Sequence, residues 1–207
     1  MTPQVVEALF TRADGAYLFA RWGRPIVPVV FGVTDATLRV VKGAVEAVVA
    51  LAGHKMADVD TELGANLMVF FFTGWDELRS VPNLDRLIPD LGPLCDRLAA
   101  ADANQYRIFR FDAKGSIRAA FVFVRMDSHL AAVSVQTLAL SQAVQVILLW
   151  SDMAFRDTSP LAQAGGTVIL RPEIAGVIRA AYDTVLPDMS QDPSHALRLA
   201  ARVVRLV

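Results

Sequence analysis

Residues 130–150 carry no charged side chain, a run about as long as a bilayer span, and where such a run lies dictates what the rest of the chain must pack against. Gln136, Gln142 and Gln145 would each be costly in lipid. Ser134, Thr137, Ser141 and Gln145 also recur at helical spacing as a polar stripe. The segment therefore reads as a long central helix of a soluble core, with no integral membrane span expected. Ser134, Thr137, Ser141, Gln142 and Gln145 mark a candidate cleft along that helix.

Such a helix needs apolar partners, and the chain supplies them: 54% of its 207 residues are hydrophobic and 20% charged, a balance that favours a large buried core. Thr2-Pro3 predicts a helix start with Val5, Val6, Leu9 and Phe10 as its apolar face, ending near Gly15. Residues 25–31 read as an edge strand, because Pro25 and Pro28 cannot donate to ladders on both sides. Thr34 or Asp35 caps a helix over Leu38, Val41, Val45, Val48, Val49 and Ala52. Residues 66–72 read as a central strand covered on both faces. Residues 84–98 have helical periodicity interrupted by Pro89 and Pro93, which predicts a kinked or divided helix. Residues 106–111 and 117–124 flank Asp112-Ala113-Lys114-Gly115 as a β-hairpin. A loop over 151–166 precedes helices opened by Arg171-Pro172-Glu173 and Pro193-Ser194. Strands early and helices late predict one α+β domain over 1–207, a small mixed sheet packed against the long helix with a helical C-terminal third.

Charge and motifs narrow the function. Lys plus Arg number 20 against 21 Asp plus Glu, and the arginines are scattered, so nucleic acid is not an expected partner. Cys95 falls at helical spacing among leucines and reads as a buried thiol. The N-terminus shows no basic region followed by an apolar run and a cleavage site, so no signal peptide is expected, and cysteine usage does not fix the compartment. The phosphate loop, the nucleophile elbow and the dinucleotide fingerprint are all missing, so no cofactor is expected. His54, His129 and His195 have no partner histidine one helical turn away, and no metal site is expected. His54 reads as ending a helix, His129 as starting one and His195 as lying on a surface turn. Asp58, Asp60 and Glu62 could face a hard cation, though a solvated acidic loop is the simpler reading. Asp152 and Asp157 read as turn residues. Trp22, Trp75, Trp150 and residues 70–72 would fill the core or line an apolar pocket.

Several segments in order resemble a bacterial family, domain of unknown function 2927, which is often exported and is related in appearance to zincin-type metallopeptidases. They are Arg21-Trp22-Gly23-Arg24-Pro25-Ile26 leading to Gly32, Ala65-Asn66-Leu67-Met68-Val69, the hairpin around Gly115-Ser116-Ile117-Arg118, Leu140-Ser141-Gln142-Ala143, and Ala181-Tyr182-Asp183 before Leu186-Pro187-Asp188-Met189-Ser190. The resemblance implies a zincin-like fold in which the long helix presents its working positions to a cleft beneath a sheet edge. This chain departs from the family where it matters for chemistry. Two adjacent glutamates of the family correspond here to Leu138 and Ala139, which neither bind a cation nor take a proton.

The expected function is thus a noncatalytic zincin-like domain acting in binding or assembly, with an unknown protein or a second copy as partner. Leu9 with Phe10 and Leu199 with Val203 are candidate apolar contacts. The alternatives are a hydrolase using Gln142, Gln145, Asp152 or His129, and a small-molecule module with an apolar pocket.

Overall fold

The computed structural model describes residues 1–206, with side chains through 204; Val207, the last residue of the expected 1–207 unit, lies outside the described residues. In chain order the elements are α1 (Pro3–Ala8), β1 (Phe19–Ala20), β2 (Pro28–Phe31), α2 (Asp35–Leu51) and β3 (Leu67–Phe72). A 3-10 segment (Trp75–Ser80) leads to α3 (Leu84–Leu87), α4 (Leu91–Ala100), β4 (Gln105–Phe111) and β5 (Ile117–Arg125). Next come α5 (Ser128–Ala131), α6 (Val135–Ile147), β6 (Leu161–Ala164), β7 (Thr167–Leu170), α7 (Pro172–Ala181), β8 (Met189–Ser190) and α8 (Ser194–Leu206). The class is α+β.

The principal sheet has the order β2-β3-β5-β4; β2, β3 and β5 run parallel and β4 is antiparallel on the edge. As the prolines require, β2 is the other edge. Thr34 caps α2, its side chain accepting from the Thr37 amide, and α2 buries Val41, Val45, Val48 and Val49, the three-to-four spacing of a single helix face. Between β2 and α2 the chain turns at Gly32, whose φ is +76° and where a Cβ would meet the Phe71 carbonyl oxygen at 1.9 Å; only glycine fits both demands.

Two apolar clusters cover the two faces of this sheet. The larger joins α1, α2, α6, α7 and α8 to Val69, Val122 and Val124; the smaller joins the 3-10 segment, α3 and α4 to Phe70, Phe72, Phe121 and Phe123. Neighbours along β3 and β5 therefore go to opposite faces, and with each large side chain contributing about 1.5–3 kcal/mol of burial these two strands hold the layers together. Asn66 fixes the entry to β3: fully buried, it accepts from Val27 N at 2.8 Å and donates to the Pro25 carbonyl and to Asp60.

The structure divides the long uncharged run. Asp127 caps α5, then Ser134 adopts extended backbone and caps α6, so a helical break falls at 132–134. At the other end Leu148 is extended because it bridges Arg21, and Leu149 N donates to the Ala20 carbonyl. Tertiary pairing there overrides the helical propensity of an apolar run. Pro89 falls between two separate helices, α3 and α4, the divided element expected, while Pro93 sits in the first turn of α4. The loop over 151–166 ends instead in a hairpin, β6 with β7, and β8 pairs with β1, so the C-terminal third is not purely helical. Leu9, Phe10, Leu199 and Val203 are buried at 8%, 0%, 0% and 1% exposure, packed within this chain rather than offered to a partner. His195 is fully buried in the first turn of α8 rather than on a surface turn.

Candidate functional site

Strand pairing decides which atoms of β4 remain free. Ala120 N donates toward β3, to the Asn66 carbonyl, so Ala120, Val122 and Val124 aim their backbone groups away from β4. Their partners across the ladder are Phe109, Arg107 and Gln105, and in an antiparallel pair these three must point their own N–H and C=O groups outward. Among the described residues nothing pairs with that outer edge.

A cleft of about 640 Å3 opens on the α6 side of the edge, lined by residues 105–109 of β4, by Gln145, by 149–152 and by Phe155 and Arg156 with Arg12. Its far wall is fixed by contacts to the chain start. Trp150 stacks on Phe10 with centroids 5.3 Å apart, Ser151 N donates to the Leu9 carbonyl, and Asp152 accepts from Ala13 N. On the opposite face of the sheet a second groove, about 430 Å3, is lined by Ile88, Leu94, Tyr106 and Ile108, with Arg97, Arg110 and Asp90 beside them. The unpaired edge thus runs between two concavities.

The floor of the α6-side cleft is a cluster of amides around one guanidinium. Arg107 Nη2 donates to Gln142 Oε1 at 2.7 Å and to Gln105 Oε1 at 2.9 Å, and Gln142 Nε2 donates to Gln105 Oε1 at 2.9 Å. Arg107 Nε is shut off from solvent with no hydrogen-bond partner. Burial pushes this guanidinium down to about 10, still charged at neutral pH. No carboxylate pairs with it among the described residues.

The five expected cleft residues separate. Ser134 and Thr137 are consumed in the α6 cap, Ser134 Oγ accepting from Thr137 N at 3.2 Å. Ser141 Oγ accepts from Gln145 Nε2 at 2.9 Å, so those two bond to each other. Gln145 lines the cleft and Gln142 braces its floor. Arg107 was not singled out by the sequence; the signal available was an arginine sharing a strand face with Gln105 and Phe109.

Other sequence candidates serve the frame. Burial opposes ionisation of Asp60, yet donation from Leu63 N, Glu62 N, Asn66 and Arg24 outweighs it and holds the carboxyl at about 2; it organises its own turn. His54 Nε2 lies 2.8 Å from the Arg24 carbonyl, its ring sits against Tyr182, and burial lowers its pKa. Among the described residues no group of three or more His, Cys, Asp or Glu is placed to hold a metal ion, and no helix is long and apolar enough to cross a membrane. Compared with family models, curated proteins and solved structures, the chain shows no match.

Proposed function

We propose that this chain is a noncatalytic, zincin-like binding domain, and that it docks an extended polypeptide segment along β4. One observation carries the reading: the outer edge of β4 is unpaired and lies between a cleft on each face of the sheet. A strand added there gains main-chain hydrogen bonds from Gln105, Arg107 and Phe109, while its alternating side chains enter the two clefts in turn.

The chemistry of the floor favours binding over turnover. Amides and an arginine do not accept a proton at neutral pH. Leu138 and Ala139, at the positions where the resembling family has glutamates, are buried in the core at 6% and 1% exposure. A long helix facing a cleft beneath a sheet edge is also the arrangement that the zincin resemblance implies.

Amide hydrogen exchange tests the reading with a pooled set of extended peptides of varied charge. Slowed exchange at Gln105, Arg107 and Phe109, with the peptides recovered intact, is the expected result. Unchanged exchange along β4 with every peptide, or cleavage of the peptides, would sink it.

A further inference from the structure

We infer that the segment docking beside β4 is acidic, with a carboxylate on its α6-side face pairing with Arg107 and apolar side chains on the other face. This rests on the docking reading above and adds the chemistry of the ligand.

The charges of the α6-side cleft are out of balance. Arg12, Arg107 and Arg156 face it against a single acid, Asp152, whose Oδ1 already accepts from Ala13 N. Elsewhere the fold supplies its sheltered arginines with carboxylates: Arg21, 8% exposed, has Asp188 at 2.7 Å. Arg107 has only the oxygens of two neutral amides. A guanidinium withdrawn from water without a counter-charge is costly, and its planar fork suits a carboxylate better than any other biological group of that size. Gln105 and Gln142 hold Nη2, Nε is shut off from solvent, and Nη1, neither enclosed nor hydrogen-bonded, is the nitrogen left to an incoming carboxylate.

The edge strand adds the spacing. About five residues of an extended ligand would span Gln105 to Phe109 at about 3.3 Å per residue. Side chains at every second position would face the arginine-bearing cleft, and those between them the groove of Ile88, Leu94, Tyr106 and Ile108. An acidic and apolar alternation fits both sides. A second copy fits poorly, because pairing β4 with itself about its outward-facing residues would set Arg107 near its own copy with no acid on either strand, and like charges across a ladder are unfavourable.

The experiment uses three peptides of alternating valine with glutamate, glutamine or lysine, titrated into the intact chain by fluorescence anisotropy, with exchange at β4 as the locator. The glutamate peptide is expected to bind about tenfold or more tighter than the glutamine one, the lysine peptide weakest. Arg107→Gln should remove that preference, and Arg39→Gln, an exposed change on α2, should leave it intact. Gln142→Glu places a carboxylate of the chain's own beside Arg107 and should weaken the glutamate peptide about tenfold, which keeps the test open should Arg107→Gln fail to fold. Equal binding of the glutamate and glutamine peptides, or full binding of the glutamate peptide to Gln142→Glu, overturns the acidic ligand while leaving the docking surface standing. Loss of β4 protection with all three peptides, or dimerisation through β4 in their place, overturns the docking reading itself.

Discussion

Two buried basic side chains each hold one nitrogen without a hydrogen-bond partner, His195 Nε2 and Arg107 Nε, and they meet the same penalty in opposite ways. His195 sits between Phe19 and Tyr17, whose hydroxyl lies 2.9 Å from Nδ1. Burial first, then the charges of Arg198, Arg202 and Arg21 against the opposing Asp192, lowers it to about 4, so at neutral pH it escapes the cost of burial by staying uncharged. Arg107 has no such route, since a guanidinium keeps its proton. The difference separates a sealed region, where α1, α8 and the β1–β8 pair close over their polar groups, from an open one at β4, where the charge stays and a partner can still reach it. Folding completes the first; the proposed ligand would complete the second.

The largest effect expected from this contrast is on stability against pH. The unfolded imidazole takes its proton near 6.5 and the folded one near 4, so between those values the unfolded chain binds more protons. Stability must then fall as pH drops through that window, by on the order of 3 kcal/mol. Urea midpoints at pH 7 and pH 5 capture about 2 kcal/mol of it, and His195→Gln should flatten the slope; equal slopes would break the comparison. Next in size, Arg21→Met should cost about 2 kcal/mol, less than a fully buried pair because Asp188 is 41% exposed. Arg107→Met should stay within about 1 kcal/mol of the unmodified chain, since the charge removed has no counter-charge to lose. If the two variants lose stability equally, Arg107 is holding the fold together and the cleft loses its special status.

A smaller change sharpens the contrast from the other side. Gln142→Glu should raise stability by about 1 kcal/mol at neutral pH by giving Arg107 an acid. That gain is present above the usual glutamate pKa of about 4 and is lost as pH falls through the depressed value in the folded chain, which thermal melts at pH 7 and pH 3 would read. Smallest of all, Ser134→Ala should cost under about 1 kcal/mol through the lost cap and leave the binding of the valine–glutamate peptide unchanged, which separates the capping serine from the cleft.

Much of the frame was legible before any coordinates. Pro25 just before β2 and Pro28 at its start, the Thr34 cap, the apolar run of β3 and the Gly115 turn each act through neighbours in sequence, and each element appears where its local chemistry put it. The site was less legible. The polar stripe of α6 followed a correct helical period, but a period says only that side chains share a face; it does not say whether they face a cleft, cap the helix or bond each other. Ser134 and Thr137 took the second course, Ser141 the third, and Gln145 both bonds Ser141 and lines the cleft. His195 reads as lying on a surface turn although Pro193-Ser194 opens a helix beside it, and nothing local reveals that α8 rolls it onto Phe19.

The uncharged run of 130–150 shows where the division lies. Its apolar content was enough to require burial, since that follows from side-chain transfer alone. Its extended end at Leu148 and the cleft beside Trp150 depend on Arg21, Ala20 and Leu9, residues more than a hundred positions away that reach it only through the fold. The charge of Arg107 was likewise written in the sequence. That no acid answers it was decided by which side chains the tertiary structure brought within reach.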